Sequence, residues 1–310
     1  MDRERQAWLL AAATVALWST VATAFELALR GLTPAQLLAA ANVVALFALV
    51  GICTLRGELP AVAEAARSHP LRALVLGLLN PFAYYLVLFA AYDRLPGQVA
   101  QPLNYTWAIT LSLLAVPVLG QRLVRGELLA MIFAWSGVVV IASAGDPRNL
   151  LVHDGLGVAL ALGSTLLWAS YWLAAARDPR PPVPGLLLNF ACALPLTLAV
   201  AYLAPGDPPA GNPEPMVITA AAIWVGLAEM ALSFVLWLLA LQRARSAAAI
   251  SGLVFVSPFA SLVLLWLVAG ERIAPATPAG LVLIVAGMLA QQRLRARADA
   301  TGSRGAAGAG

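Results

Sequence analysis

"LWST" at residues 17–20 returns as "LWAS" at 167–170, 150 positions later. The same offset carries "LGQR" at 119–122 onto "AGER" at 269–272, and Gly137 onto Gly287. Between them "AYDR" at 91–94 lines up with "ALQR" at 240–243, one residue out of step. Weak identity at a nearly constant spacing is the mark of an internal duplication. The chain therefore divides into a first half, 1–144, a second half, 145–296, and a polar, glycine-rich tail, 297–310, that is expected to be disordered.

What is duplicated is a set of apolar runs. The 310 residues are 61% hydrophobic and 11% charged, with a mean hydropathy of +0.85, against about 25% charge in ordinary soluble domains. Runs near the ~20 residues that a helix needs to cross a bilayer recur along the whole chain. Ten candidate spans follow, at 7–29, 34–55, 71–92, 97–119, 127–144, 155–176, 184–203, 216–241, 247–269 and 277–292. The first follows "MDRER" and contains a cleavage-like "ATA", but its pattern recurs at 155–176, so it counts as a span. Connections such as "DRLPG", "RDPRPPVP" and "APGDPPAGNPEP" are short, and the longest, around 56–70, has no room for a soluble domain.

Each half holds five spans. Five is odd, so the second half enters the membrane from the opposite side. The expected fold class is an all-α integral membrane protein with ten transmembrane helices in two inverted five-helix repeats, an arrangement common among secondary transporters. The basic residues agree. All nineteen are arginine, and with the N-terminus inside, fifteen fall on the inner side and four (Arg30, Arg94, Arg148 and Arg272) on the outer. By the positive-inside rule both termini are expected in the cytoplasm, in a bacterial inner (plasma) membrane. Net charge +4 and pI 9.5 suggest no nucleic acid, because the arginines are scattered between apolar runs. Cys53 and Cys192 lie far apart in apolar runs and suggest neither a disulfide framework nor a metal site. Two fused halves can enclose a site without a partner, which favours a monomer in the lipid bilayer.

Polar and aromatic groups inside the spans are the candidate site. Ionisable residues at membrane depth are expensive and are functional candidates by default. Glu229 is central in its span, whereas Glu26 is close enough to an end to reach the interface. Ser233 and Trp237 follow Glu229 on one helical face, and Asn80 followed by Tyr84 is the counterpart in the first half. Glu229 either lines a polar cavity, where it binds an amino group or carries a proton, or is held by a neighbouring helix in a structural role. Trp18 and Trp168 are equivalent and mid-span, away from the interfacial belts that suit Trp8 and Trp224. Ser164, Trp168 and Trp172 share a face. "QPLNYTW" at 101–107 places Gln101, Asn104 and Tyr105 on one face with Trp107 beside it, within a span. Each of these aromatics suits a cavity lining or ordinary packing between helices. Pro102 and Pro258 occupy equivalent spans as hinges or as kinks. Gly137, Ala276, Gly280, Gly287 and Ala290 suit close helix packing, which makes spans five and ten the scaffold.

With these residues the chain resembles the drug/metabolite transporter superfamily in its ten-helix EamA-type branch, over roughly 7–292. The duplication, "LWST" and "GER" after span nine are widespread in that superfamily. "LNYTW" with "LWASYW" is similar to the YddG aromatic amino acid exporters, which carry Asn-Tyr-x-Trp in span four. That resemblance implies an aromatic-lined central cavity, with Tyr105, Trp107 and Trp168 lining it. The chain departs from the pattern at Ala108, where proline is expected, and at Gln121, where the motif has Glu.

The function expected is export of amino acids, aromatic or bulky and apolar, by alternating access. Asn80, Gln101, Asn104 and Glu229 would meet the polar ends of the small-molecule substrate. Trp18, Tyr84, Tyr105, Trp107, Trp168 and Trp237 would meet its apolar body, with Ser164 beside them. The alternative is a multidrug or other small-metabolite exporter, either coupled to protons or not. A third reading, from another class, is a membrane scaffold or sensor without flux. An enzyme is not expected, because His69 and His153 lie in connections and no nucleophile or metal constellation is visible. No cofactor is expected.

Overall fold

The computed structural model of the protein describes residues 3–120, 125–146, 154–204, 206, 214–244 and 252–307. Among these residues the regular structure is helical, without strands. Seven helices are long and apolar enough to cross a membrane, at Arg3–Leu29, Pro34–Leu55, Pro70–Arg94, Arg125–Ala142, Gly155–Ala175, Pro182–Leu203 and Pro215–Arg243. In bilayer hydrocarbon this is the expected answer to the backbone's hydrogen-bonding demand, since a helix pairs its own N–H and C=O groups. The chain is an all-α integral membrane protein.

In chain order the helices are α1 (Arg3–Leu29), α2 (Pro34–Leu55), α3 (Leu59–Ser68), α4 (Pro70–Gly77), α5 (Tyr84–Arg94), α6 (Gly97–Tyr105), α7 (Trp107–Leu119), α8 (Arg125–Ala142), α9 (Gly155–Ala175), α10 (Pro182–Leu203), α11 (Pro215–Trp224), α12 (Ser233–Arg243), α13 (Ser257–Leu264) and α14 (Ala276–Ala307). Wider π-helical turns join α4 to α5 (Leu78–Ala83), join α11 to α12 (Val225–Leu232) and extend α13 (Leu265–Ala269). A 3₁₀ turn, Gly252–Val256, leads into α13. Local chemistry sets several boundaries. Thr33 and Gln36 form a reciprocal capping box at the start of α2. Asp154 Oδ1 accepts from the Leu156 and Gly157 N–H groups at the start of α9.

Three details differ from the sequence reading. The connection at 56–70 contains the short helix α3. The span 97–119 is not one helix: it breaks at Thr106, whose N–H and Oγ1 both turn back to the Leu103 carbonyl. Pro102, four residues earlier, already removes a backbone donor from that helix. The last helix continues in backbone to Ala307, through the stretch read as a tail from 297, where alanine and arginine are strong helix formers. Residues 308–310, the start of the ninth span at 247–251, Gln121, Arg122, Arg148, His153 and Arg245 lie outside the described residues.

Hydrogen bonds sort the helix ends into two sets. At one end Arg3 Nη2 donates to the Gln242 carbonyl, Arg72 Nη1 to that of Arg177, and Arg177 Nη2 to that of Val118. At the other, Arg30 Nη2 donates to the Ala269 carbonyl and Arg94 pairs with Asp154 at 2.7 Å. There Gln98 Nε2 also donates to the Arg272 carbonyl, while its Oε1 accepts from Ala274 N and Thr277 Oγ1.

The closest helix crossings occur in pairs. A Cβ on Gly77 would collide with the Asn189 carbonyl; 149 positions later, one on Gly226 would lie 2.6 Å from the Ala41 carbonyl. Likewise Gly137 abuts the Gly280 carbonyl, and Gly287 would bring a Cβ within 2.7 Å of the Ala130 carbonyl. Small residues let these backbones approach, which is how membrane helices gain packing without a hydrophobic drive. The pairing of α8 with α14 through Gly137, Gly280 and Gly287 forms a tight two-helix unit beside the remaining bundle.

Candidate functional site

Between these helices lies a cavity of about 650 Å³, within the ~300–1,000 Å³ typical of small-molecule sites. Helical periodicity explains its walls. On α1 the lining residues are Trp18, Val21, Ala22 and Phe25, at i, i+3, i+4 and i+7. On α6 and α7 they include Gln101, Asn104, Tyr105, Ala108, Leu111, Ser112 and Ala115, a continuous face that passes through the break at Thr106, with Trp107 beside it. Tyr84, Leu88 and Tyr92 come from α5, Trp168 and Trp172 from α9, and Trp237 and Leu241 from α12. The lining runs from Phe25 and Tyr92 at one end to Ala176, Glu127, Gln291 and Gln292 at the end that carries Arg3.

Aromatic rings make up much of the surface. Tyr84 stacks on Trp168 with centroids 4.4 Å apart, and Trp172 and Phe234 each meet Trp168 edge-on at 5.6 Å. Across the cavity Trp18 leans on Trp237 at 5.4 Å. Phe25 takes the edges of Phe89 and Tyr92, at 4.8 and 5.1 Å, and crowds that end of the space. Such pairs add about 0.5–1.5 kcal/mol beyond area burial, so these rings are held in place before any ligand arrives.

A chain of hydrogen bonds fixes the polar groups. Asn104 Nδ2 donates to Ser164 Oγ at 2.8 Å, and Tyr84 Oη donates to Asn104 Oδ1 at 3.4 Å. Tyr105 Oη donates to Ser257 Oγ at 2.8 Å, and Gln291 Nε2 to Ser112 Oγ at 2.6 Å. Glu229 sits in the π-helical segment before α12, accepts from Tyr85 Oη at 3.0 Å through Oε1, and has no partner at Oε2. Its own carbonyl accepts from Ser233 Oγ. π-Helical turns inside α-helices are common at functional sites, because they rotate side chains off the regular face.

Of the residues singled out in the sequence, Trp18, Tyr84, Gln101, Asn104, Tyr105, Trp107, Trp168, Glu229 and Trp237 meet at this cavity. Asn80 and Ser164 do not line it. Asn80 is fully buried in the π-helical turn before α5, in an extended conformation (φ −148°, ψ 119°) and joined to Pro81 by a cis peptide bond. That conformation breaks the four-residue rule that placed Asn80 above Tyr84. Ser164 stands one layer behind, accepting from Asn104 and donating to the Ala161 carbonyl. Sequence reasoning missed Phe25, Tyr92, Glu127, Gln291 and Gln292 as lining residues. Trp172 was visible one turn beyond Trp168; the others look like ordinary packing or interface residues. No cluster of metal-ligating side chains occurs among the described residues.

Comparison with known proteins gives the class. The chain belongs to the EamA-like transporter family, which it matches over 6–143 and 155–290. Members of this family are transporters and not enzymes, so a small-molecule substrate and a membrane setting follow. Among relatives, the chain is 27% identical over 290 residues to a protein described as a probable terminal-alkyne amino-acid exporter of Streptantibioticus cattleyicolor, covering 93% of this chain and 94% of the relative. It is also 27% identical over 229 residues to Protein PecM of Dickeya dadantii, covering 71% and 73%. A crystal structure of another protein superposes with a TM-score of 0.67 over 95% of this chain and 99% of its own, at 20% identity, a likeness of fold.

Proposed function

We propose that this transporter exports amino acids with aromatic or bulky apolar side chains. The observation that carries the reading is the cavity itself: about 650 Å³, walled by Trp18, Tyr84, Trp168, Trp172 and Trp237, with Glu229, Gln101 and Asn104 set among the rings. An amino acid needs a polar partner for its ammonium group and an apolar surface for its side chain; Glu229 offers the first and the rings the second. The relative described as an amino-acid exporter, aligned over 93% of this chain, supports the same substrate class.

The mechanism in this reading is alternating access. Ten crossings form two inverted five-helix repeats, both termini are cytoplasmic, and the protein works as a monomer in a bacterial inner membrane. The paired approaches of Gly77 to Asn189 and Gly226 to Ala41 support the repeat, as does the family match over two stretches of similar length. The layer of Phe25, Phe89 and Tyr92 and the Gln98 hydrogen bonds close the outer end, while the lining reaches Glu127 and Gln291 at the inner end. Translocation exchanges these two closures while α8 and α14 stay packed.

A second reading, a proton-coupled exporter of other small metabolites or drugs, draws on Glu229, whose Oε2 lacks a partner. Flux across reconstituted vesicles separates the two. Labelled phenylalanine or tryptophan should move faster than in empty liposomes and be displaced by bulky amino acids. Displacement by planar drugs alone would favour the second reading, and no flux of any solute would sink both.

A further inference from the structure

We infer that the cavity recognises the ammonium end of its substrate and leaves a carboxylate unread, so that cationic amines on an aromatic or long apolar body are its best ligands. This rests on the reading of the cavity as the substrate site, and it sharpens which chemistry that site selects.

The charge on the walls has one sign. Among the described residues the lining carries two carboxyl side chains, Glu127 and Glu229, and no arginine. Several described arginines are held by other groups: Arg94 by Asp154, Arg30 by the Ala269 carbonyl, Arg72 by the Arg177 carbonyl, and Arg180 by Asp178 and Asn189. A substrate carboxylate entering here finds no cation among the described lining residues, in a setting where apolar walls strengthen every uncompensated charge.

Hydrogen-bonding capacity points the same way. Tyr84 and Tyr105 commit their hydroxyl donors to Asn104 and Ser257, and Asn104 and Gln291 each commit one amide N–H, to Ser164 and Ser112. Among the fully buried side-chain atoms of the lining, the acceptors Glu229 Oε2 and Gln101 Oε1 have no partner, and the Trp172 indole N–H is a neutral donor without one. Glu229 is 7% exposed, and its one side-chain partner, Tyr85, occupies only Oε1. An ammonium brings three donors and a positive charge, which match these acceptors. The rings of Trp18, Tyr84, Trp168 and Trp237 line the same space, and an aromatic face attracts a cation and is indifferent or hostile to an anion.

The test uses three probes with the same apolar body: 2-phenylethylamine, phenylalanine and 3-phenylpropionate. Their binding to the purified full chain is followed through the fluorescence of the cavity tryptophans. The amine should bind at least as tightly as phenylalanine, and 3-phenylpropionate should not bind. Glu229→Gln should weaken the amine about tenfold or more, the effect of losing one charge-assisted contact, while Glu229→Asp, which keeps the charge, retains part of the affinity and guards against misfolding. Binding of 3-phenylpropionate as tight as that of phenylalanine, amine affinity unchanged in Glu229→Gln, or no binding of any probe would overturn the inference. The outcomes for the amino-acid reading are separate. Amine binding without phenylalanine flux sinks that reading and leaves this inference standing; phenylalanine flux with binding of 3-phenylpropionate does the reverse.

Discussion

Tyr85 Oη donates a 3.0 Å hydrogen bond to Glu229 Oε1, joining two residues 144 positions apart, one in each half of the chain. Tyr85 is fully buried behind the cavity wall and Glu229 forms part of that wall. The tyrosine therefore positions the carboxyl group, and the carboxyl group lines the cavity.

Substitutions at the two residues should separate these roles. Tyr85→Phe removes one buried hydrogen bond and is expected to lower stability by about 1 kcal/mol, with flux reduced a few-fold. Glu229→Gln keeps shape and hydrogen-bonding capacity but not charge, and is expected to reduce flux at least tenfold. Thermal unfolding in detergent, read beside flux in vesicles, checks both; equal flux losses in the two variants would place the function on the hydrogen bond and not on the charge.

Trp168 is both wall and packing centre, touching Tyr84, Tyr171, Trp172 and Phe234. Trp168→Ala is expected to lower stability by about 3–5 kcal/mol and so reports little about binding. Trp168→Phe should fold and weaken substrate binding several-fold. Ligand titration by the remaining fluorescence measures it, and unchanged affinity would remove Trp168 from the site.

The interface of α8 and α14 depends on absent side chains. A Cβ on Gly280 would lie 2.6 Å from the Gly137 carbonyl and from Ile141 Cγ1, whereas one on Gly163 meets nothing within 4 Å. Gly280→Ala is expected to lower the unfolding temperature. Gly163→Ala, in the interior of α9, should raise stability by up to about 1 kcal/mol. Similar unfolding curves for the two would contradict the packing described.

Gln98 ties its end of the bundle through three side-chain hydrogen bonds, to Arg272, Ala274 and Thr277, and in the proposed topology that end is the outer closure. Gln98→Ala is expected to loosen that end. In a background without Cys53 and Cys192, a reporter cysteine at Phe25 should react several-fold faster with an impermeant thiol reagent added from outside. An unchanged rate would separate Gln98 from gating.

The Arg94–Asp154 ion pair at the same end makes a pH control. The Arg94 hydrogen bond, together with the Gly157 N–H, holds the Asp154 carboxyl below its ordinary value. A depressed folded-state pKa gives a contribution that is present above the unfolded value, about 3.9, and is lost as the pH falls through the folded one. Around neutrality it is constant. Asp154→Asn should therefore leave the pH profile of flux unchanged near neutral pH; a shifted profile would implicate this pair in coupling.

The apolar helices and most of the aromatic wall were legible because hydropathy and helical spacing are local properties. Trp18, Trp168 and the face from Gln101 to Tyr105 could be found that way. Asn80 could not, because its extended backbone interrupts the helix on which the spacing argument depended. Nor could Glu127, Gln291 and Gln292, which sit near span ends, where charged and amide side chains ordinarily meet water. Which of the polar groups remain unspent was invisible too, since partners such as Ser257 for Tyr105 come from 152 residues away.

The central claim is that solute crosses through this cavity. Ala108 lines it from α7 and is only partly buried, so a larger side chain there fills the space without entering the tightly packed core. The direct measurement is phenylalanine flux in vesicles containing the wild type or Ala108→Trp, with thermal stability measured in parallel. The account expects wild-type flux above empty liposomes and its loss in the stably folded variant. Equal flux in the two proteins would contradict it.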